Sequence, residues 1–447
     1  MEAKIVHLPI VNLQIIIRCN QYITLMSDYF VTNIMKLLYY IFSIFLSCVL
    51  GGCENYGNKN SHFTNEQIAS LHLDSTFILT TDIDSIKKIN LNSFLKRKDF
   101  LFDFLIDEIK MVPLETTNES LIADIKKMLI TEKYIYIVDY YKGGSVLVFD
   151  VRGKFVTRIL QGEAPQEIYN PNDITFDEIQ QNLIIYNKYY LSFYTSDGRF
   201  VKRIRVPFRA DEVTLTPEGY LFKAYNGQGN KHLGFSSEYL FMVTDKSFKL
   251  KSVGLPYLFS NETGYGNLIG FLHEGKHKII VTTEYADTIY EYSSVENKLK
   301  AKYALDISEK EIPKKRLGRT WGDLKNALQQ NNYFLYNGAF LETSSHELFY
   351  VENWYMRCNL MVFRDKQSGN MRGGTRMLYN TENMPPINSP IASFGNYFVS
   401  CYLPQNKWKP SKNFQISLED KVSIEDLKED DNPVLVFFSL RKFDSNE

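Results

Sequence analysis

An all-β fold that repeats one small antiparallel sheet is what this sequence predicts, and three observations carry the prediction. Aromatic residues make up 14% of the 447 positions, with 30 Tyr and 31 Phe, and such side chains fit the pleated, half-buried surfaces of strands. The stretch VLVFDVRGKFVTRI at 146–159 returns as LSFYTSDGRFVKRI at 191–204, offset by 45 residues between Gly153 and Gly198. Weaker copies of the same hairpin continue along the chain, and a fixed period of this size marks a repeat architecture.

In the first unit YIYIVD (134–139), SVLVFD (145–150) and KFVTRIL (154–160) read as three strands, with Gly153 supplying the positive φ of the last turn. The second unit spans 183–204; the third, YLFMVTDKSFKLKSV (239–253), has lost the turn glycine. Asn297 takes the turn of the fourth (277–305) and Gly369 that of the fifth (347–374), while NPVLVFFSLRKF (432–443) supplies a strand of a sixth. Phe155, Phe200, Phe248, Leu299 and Met371 mark the positions that follow the turns, and the arginines of the two close copies, Arg158 and Arg203, read as residues of a solvated edge. PNDITFDE (171–178) and FRADEVTLTPEG (208–219) provide innermost strands. IDEIKMVPLETT (106–117) has no hairpin of its own and reads as the strand that pairs with the C-terminal one to close a ring, which removes two exposed edges. One meander cannot bury both its faces, so it needs copies of itself. Four-stranded units of this length around an axis make a β-propeller, here six-bladed, with antiparallel blades over residues 75–447.

Two segments interrupt the β pattern. Residues 308–331 predict a short helix, with Thr320 and Asp323 placed like a capping box and Trp321, Leu324 and Leu328 on one face. The acidic stretch 417–431 reads as a second short helix. Lys plus Arg (51) nearly cancels Asp plus Glu (52), so no field gathers phosphate backbones and nucleic acid is not an expected partner. The five cysteines form no zinc-type spacing, and a bridge between Cys358 and Cys401 is left open.

Residues 35–53, MKLLYYIFSIFLSCVLGGC, place an apolar run after one lysine, the length of a signal-peptide core and short for a bilayer span. The run ends in Leu50-Gly51-Gly52-Cys53, which resembles the lipobox of bacterial lipoproteins and implies a lipid on the Cys53 thiol, with the membrane as a partner. The signal then covers 35–52 and a polar tether 53–74; residues 1–34 are either untranslated or an irregular extension. The implied address is the cell envelope, at the outer membrane facing the periplasm, with surface exposure left open.

EIKMVPLETTNESLIADIKKMLITEKYIYIVD, then FDVRGKF, GEAPQEIYNPNDI and EDDNPVLVFFSLRKF together resemble the six-bladed β-propeller lipoproteins of Gram-negative bacteria, relatives of the NHL-repeat propellers. That family carries a Gly-x-Gly-Pro-x-Glu-Tyr loop after its first blade. Gly162, Pro165 and Glu167 match it, Ala164 replaces the second Gly, and the aromatic shifts to Tyr169. The three matches, with Trp354 and Tyr355, are the candidate residues for a ligand or partner, unless the loop merely joins blades 1 and 2.

No nucleotide-binding or nucleophile-elbow motif is present. Asn172, Asp173, Asn226, Glu284, Glu342 and Asn353 are the oxygen-bearing candidates for a metal at the axis, where their chemistry suits Ca²⁺. His273 and His277 read as turn residues. Trp354 and Tyr355, with Tyr189 and Tyr190, lie near turns where aromatics either stack on sugars and peptides or pack between blades. The reading favours a non-catalytic binding or protein-interaction module for a protein, peptide or glycan, without a cofactor. Two alternatives stand: a divalent-metal-dependent enzyme, lactonase-like or lyase-like, and a structural subunit of an envelope nutrient-uptake or sensory complex.

Overall fold

The computed structural model describes residues 62–96, 99–140, 143–162, 164, 166–224, 228–257, 272–274, 278–282, 286–312, 321–378, 384–385, 387–406, 408, 417–418 and 426–444. They form a six-bladed β-propeller. Blade 1 runs Lys127–Ile130, Tyr134–Asp139, Ser145–Asp150, Phe155–Ile159, and blade 2 runs Asp173–Asp177, Asn182–Asn187, Tyr190–Thr195, Phe200–Arg205. Blade 3 is Ala210–Leu215, Gly219–Ala224, Tyr239–Asp245, Leu250–Pro256; blade 4 is Leu272–Glu274, Lys278–Thr282, Thr288–Ser293, Lys298–Asp306. Blade 5 is Leu335–Glu342, His346–Asn353, Cys358–Asp365, Met371–Gly374. Blade 6 takes Ala392–Phe394, Tyr397–Tyr402 and Val434–Leu440 from the C-terminal region and Ile106–Pro113 from the N-terminal one. First strands of neighbouring blades touch, blade 6 with 1, 1 with 2, 2 with 3, 3 with 4, and 5 with 6, so these strands line the axis.

The near-continuous apolar runs in the strands follow from packing on both faces. In blade 1, Ile135 and Ile137 enter the core shared with blade 6, beside Val399 and Leu435. Tyr136 and Val138 point the other way and join Ile174 and Leu183 of blade 2. Side chains alternate along a strand, so a sheet sandwiched between two others must be apolar at every position. Four further cores of this kind, between successive blades, complete the ring.

The doubled hairpin is explained by blade contacts. Gly153 (φ 84°) and Gly198 (φ 90°) hold the left-handed turn position. A Cβ at Gly153 would lie 2.1 Å from the Pro113 carbonyl oxygen of blade 6, and one at Gly198 2.4 Å from Thr157 of blade 1. Each turn thus rests on the preceding blade. In blade 3 the same position is Phe248 (φ 66°), whose amide donates to the Asp245 carbonyl as Gly153 donates to Asp150. Phe248 therefore matches the glycines, and the post-turn position assigned to it belongs to Leu250. Its ring stacks on Tyr220, with centroids 5.6 Å apart. The arginines of the motif are not a solvated edge: Arg158 bonds the Leu121 carbonyl and the buried Asp139, and Arg203 bonds the Glu167 carbonyl and Ser192.

Thr64 caps helix α1 (Asn65–Ala69) with a reciprocal capping box, and Leu71 is buried between blades 2 and 3. The chain then passes along the outer edges of the ring. Phe77–Ile78 pairs in parallel with the last strand of blade 3, Thr81–Asp82 and Lys87–Asn90 with that of blade 4, and Asp99–Leu101 with Arg376–Leu378. Helix α2 (Trp321–Gln330) buries Leu324 and Leu328 against Ile312 and Leu335. In the acidic stretch expected as a helix, Ser417–Leu418 is instead a strand beside Lys110 and Met111. Cys358 and Cys401 are not joined in a disulfide.

Ring closure is the antiparallel pairing of Ile106–Pro113 with Val434–Leu440. Asn432 locks it. Its buried side chain accepts from the Ile122 amide at 2.9 Å and donates to the Glu115 and Ser120 carbonyls at 2.9 and 2.8 Å. Replacing it by alanine strands the Ile122 amide and the Ser120 carbonyl and leaves the Glu115 carbonyl only the Ser120 hydroxyl, so Asn432→Ala should lower stability by about 3 kcal/mol in urea unfolding. A loss below about 0.5 kcal/mol would show that strand pairing alone closes the ring.

Candidate functional site

Each blade repeats one meander, so the starts of the first strands gather at one end of the axis. Lys126 and Lys127 stand at the start of the first strand of blade 1, Asn172 and Asp173 at that of blade 2, and Asp211 and Glu212 at that of blade 3. Lys127 meets the buried Asp173 carboxylate at 2.5 Å. The other oxygen of Asp173 accepts from the Val213 amide at 2.8 Å, which ties blade 2 to blade 3. Burial pushes the Asp173 carboxyl up, against the pull of Lys127. Lys223, on the second strand of blade 3, faces Glu212 at 3.5 Å. Lys126 donates to the Asn172 carbonyl at 2.7 Å and lies 4.1 Å from the centroid of the Tyr140 ring. Burial holds its ammonium below the ordinary value, against the attraction of Asp173, Glu212 and Asp211.

Asp211 is the residue that sequence reading missed. Ala210 pairs with Ala224 and Glu212 with Lys223, so Asp211 is the extra residue of a β-bulge, a device that re-aims a side chain. Burial pushes its carboxyl up to about 6, with Lys223, Lys126 and Arg209 pulling down and Glu212 pushing up. It makes no ion pair among the described residues. The one signal in the sequence is the adjacent acid pair Asp211-Glu212 at the start of an inner strand, which points to no bulge by itself.

The structure separates the residues proposed from sequence. Asn172 and Asp173 belong to this mouth. Glu342 ends its strand rather than starting it, so it lies at the opposite end of the axis, bound to Lys302 at 2.8 Å and Lys366 at 2.5 Å. Burial works against its charge, yet the two lysines hold it below the usual carboxylate range. Asn353 ends the second strand of blade 5, where it accepts from the Met356 amide and donates to Asn332. Trp354 packs against the core beneath helix α2 and donates to Glu352 at 2.8 Å, whereas Tyr355 is 58% exposed. Tyr189 packs against Phe63, and Tyr190 lies under Arg203. Gly162 and Glu167 close their own loop: the Glu167 carboxylate accepts from the Ala164 amide at 3.0 Å and fills the space a Cβ at 162 would need. Cys53, Pro165, Asn226, Glu284 and His277 lie outside the described residues, as does the His273 side chain. Among the described residues, no three His, Cys, Asp or Glu side chains converge as a metal-binding group.

Residues 86–439 match the profile of a family described as a domain of unknown function, DUF4934. No curated protein matches the chain. A protein of Bacteroides fragilis described as exported superposes with a TM-score of 0.62 at 17% identity, covering 82% of this chain and 100% of that one. Two others are more distant. The extracellular domain described as that of a hybrid two component system of B. thetaiotaomicron gives 0.34 at 12% identity, over 76% of this chain and 40% of that one. BamB from Moraxella catarrhalis gives 0.32 at 8%, over 76% and 99%.

The raised Asp211 carboxyl has a measurable consequence. Its folded-state value of about 6 exceeds the ordinary 3.8, so the native state holds more protons between those limits and stability falls as pH rises through them. Asp211→Asn should match the parent near pH 4 and exceed its stability by about 2 kcal/mol at pH 7.5. Urea unfolding across that range checks this; parallel pH profiles would show a carboxyl that titrates normally.

Proposed function

The chain belongs to the DUF4934 family, and from that premise we propose that it is a non-catalytic binding module of the cell envelope, held to the membrane by a lipid on Cys53. The observation that supports binding is the axial mouth. Its side chains are fixed by inner strands, by the Lys127–Asp173 ion pair that joins blades 1 and 2, by the Val213 amide bond to Asp173 that joins blades 2 and 3, and by the Lys223–Glu212 pair within blade 3, a rigid support of the kind a recognition site needs. In the midst of them the fold keeps Asp211, a carboxyl whose ionisation burial opposes. A residue kept against stability is expected where function requires it.

The envelope address rests on the apolar run at 35–50 and the Leu50-Gly51-Gly52-Cys53 ending, in a chain similar to the lipoprotein propellers related to NHL repeats. Among the described residues, no helix is long and apolar enough to cross a membrane.

Two measurements test the proposal. Metabolic labelling with a palmitate analogue should mark the wild-type chain and not Cys53→Ser, and the variant should leave the membrane fraction; equal labelling would remove the lipid anchor. For the binding surface, a photo-crosslinking residue at Tyr355, on the mouth side of blade 5, is compared with one at Ile179, in the first turn of blade 2 at the opposite end and 94% exposed. Defined adducts at 355 and not at 179 support the mouth as the working face. Adducts at 179 alone would move it to the other face and favour the structural-subunit reading.

A further inference from the structure

Two charged side chains at the axial mouth have no ion pair among the described residues: Lys126 of blade 1 and Asp211 of blade 3. Their neighbours of both signs are matched, Lys127 with Asp173 at 2.5 Å and Lys223 with Glu212 at 3.5 Å. Lys126 is half-buried and is offered one neutral carbonyl, that of Asn172, and the face of Tyr140. An ammonium has three donors, so it has capacity left for an anion. Asp211 is half-buried on its bulge, and its carboxylate accepts only. The first strand of blade 2 separates the two and touches the first strands of both flanking blades. Lys126 and Asp211 sense each other's charge without meeting in an ion pair.

The surrounding charges narrow the class of ligand. A simple anion drawn to Lys126 also meets the field of Asp173, Asp211 and Glu212. A simple cation drawn to Asp211 meets Lys126, Lys223 and Arg209, all of which act on that carboxyl. A compact molecule with one charge of each sign places each beside its complement, and like-charge juxtaposition excludes the others.

We propose that Lys126 and Asp211 are the two poles of a site for a small zwitterion of the free amino acid class, its carboxylate on Lys126 and its ammonium on Asp211. This rests on the binding-module reading and gives that module its ligand. Asn172 and Asp173 act as the floor: the Asn172 carbonyl orients the Lys126 ammonium, and Asp173 keeps Lys127 occupied.

The test is calorimetric titration of the full folded domain with the common L-amino acids and dialanine, followed by the methyl ester and the N-acetyl derivative of the tightest binder. At pH 7.5 each blocked form should bind at least about tenfold more weakly. Lys126→Met keeps the apolar stem and should abolish discrimination against the methyl ester while retaining that against the N-acetyl form. Asp211→Asn should do the reverse. Thermal melts of both variants establish that they are folded. Equal binding of the blocked forms, or loss of both discriminations in one folded variant, overturns the two-pole arrangement. Absence of binding by every amino acid and dialanine at about 10 mM overturns the ligand class. If crosslinking at Tyr355 still captures a macromolecule in that case, the binding-module reading survives without the zwitterion; if it does not, both fall.

Discussion

Everything in this molecule depends on closing the circle. A propeller blade buries both faces against neighbours, so an open ring would leave two apolar sheet faces in water. The first described strand of the ring proper, Ile106–Pro113, solves this by pairing with the last, Val434–Leu440. The lock is more than a ladder of backbone bonds. Asn432 ties the loop after Pro113 to the C-terminal strand, and that loop in turn grips blade 1: the Glu115 amide donates to the Gly153 carbonyl, and its carboxylate accepts from the Phe155 amide. The residues that open and shut the ring and the turn of the first hairpin therefore form one continuous set of contacts.

The same economy of parts governs the axis. Three blades are linked at the mouth through one buried carboxylate, that of Asp173, and a buried ion is costly unless matched. Asp173 shows how the match is made, with a lysine on one oxygen and a backbone amide of the next blade on the other. At the opposite end, Glu342 with Lys302 and Lys366, and Glu347 with Arg364 and Tyr303, perform the corresponding task for blades 4 and 5. The two ends differ in completeness. The far network engages each of its carboxylates directly, whereas the mouth keeps a lysine and an aspartate apart.

Fold and site were legible to different degrees, for physical reasons. Strands buried on both faces write themselves as apolar runs, and hairpins that rest on a neighbouring blade demand glycine or another left-handed residue, so the blades could be counted from the chain. Phe248 misled because a phenylalanine at positive φ is rare; stacking on Tyr220 holds it where glycine stands elsewhere. Arg158 and Arg203 looked like solvated edge residues, since nothing local shows that Leu121 and Glu167, far away in sequence, present carbonyls to them. The loop of Gly162 and Glu167 was visible as a motif, but not that the Glu167 carboxylate folds back onto the Ala164 amide. Asp211 was invisible, because a bulge is a property of how two strands pair and not of either strand alone.

The path of residues 77–101 around the outside of the ring bears on how the chain is made. These segments are synthesised before any blade, yet their partners come much later: Phe77 pairs beside Ser252, Lys87 beside Tyr303, and Asp99 beside Arg376. Until then they are unpaired strand edges, the kind of surface that recruits other chains. Contacts across such sequence separations slow folding. During synthesis the girdle is therefore present from the start but is fastened only as the outer strands of blades 3 and 4 and the segment after blade 5 appear, before the closing strand Val434–Leu440 completes the ring.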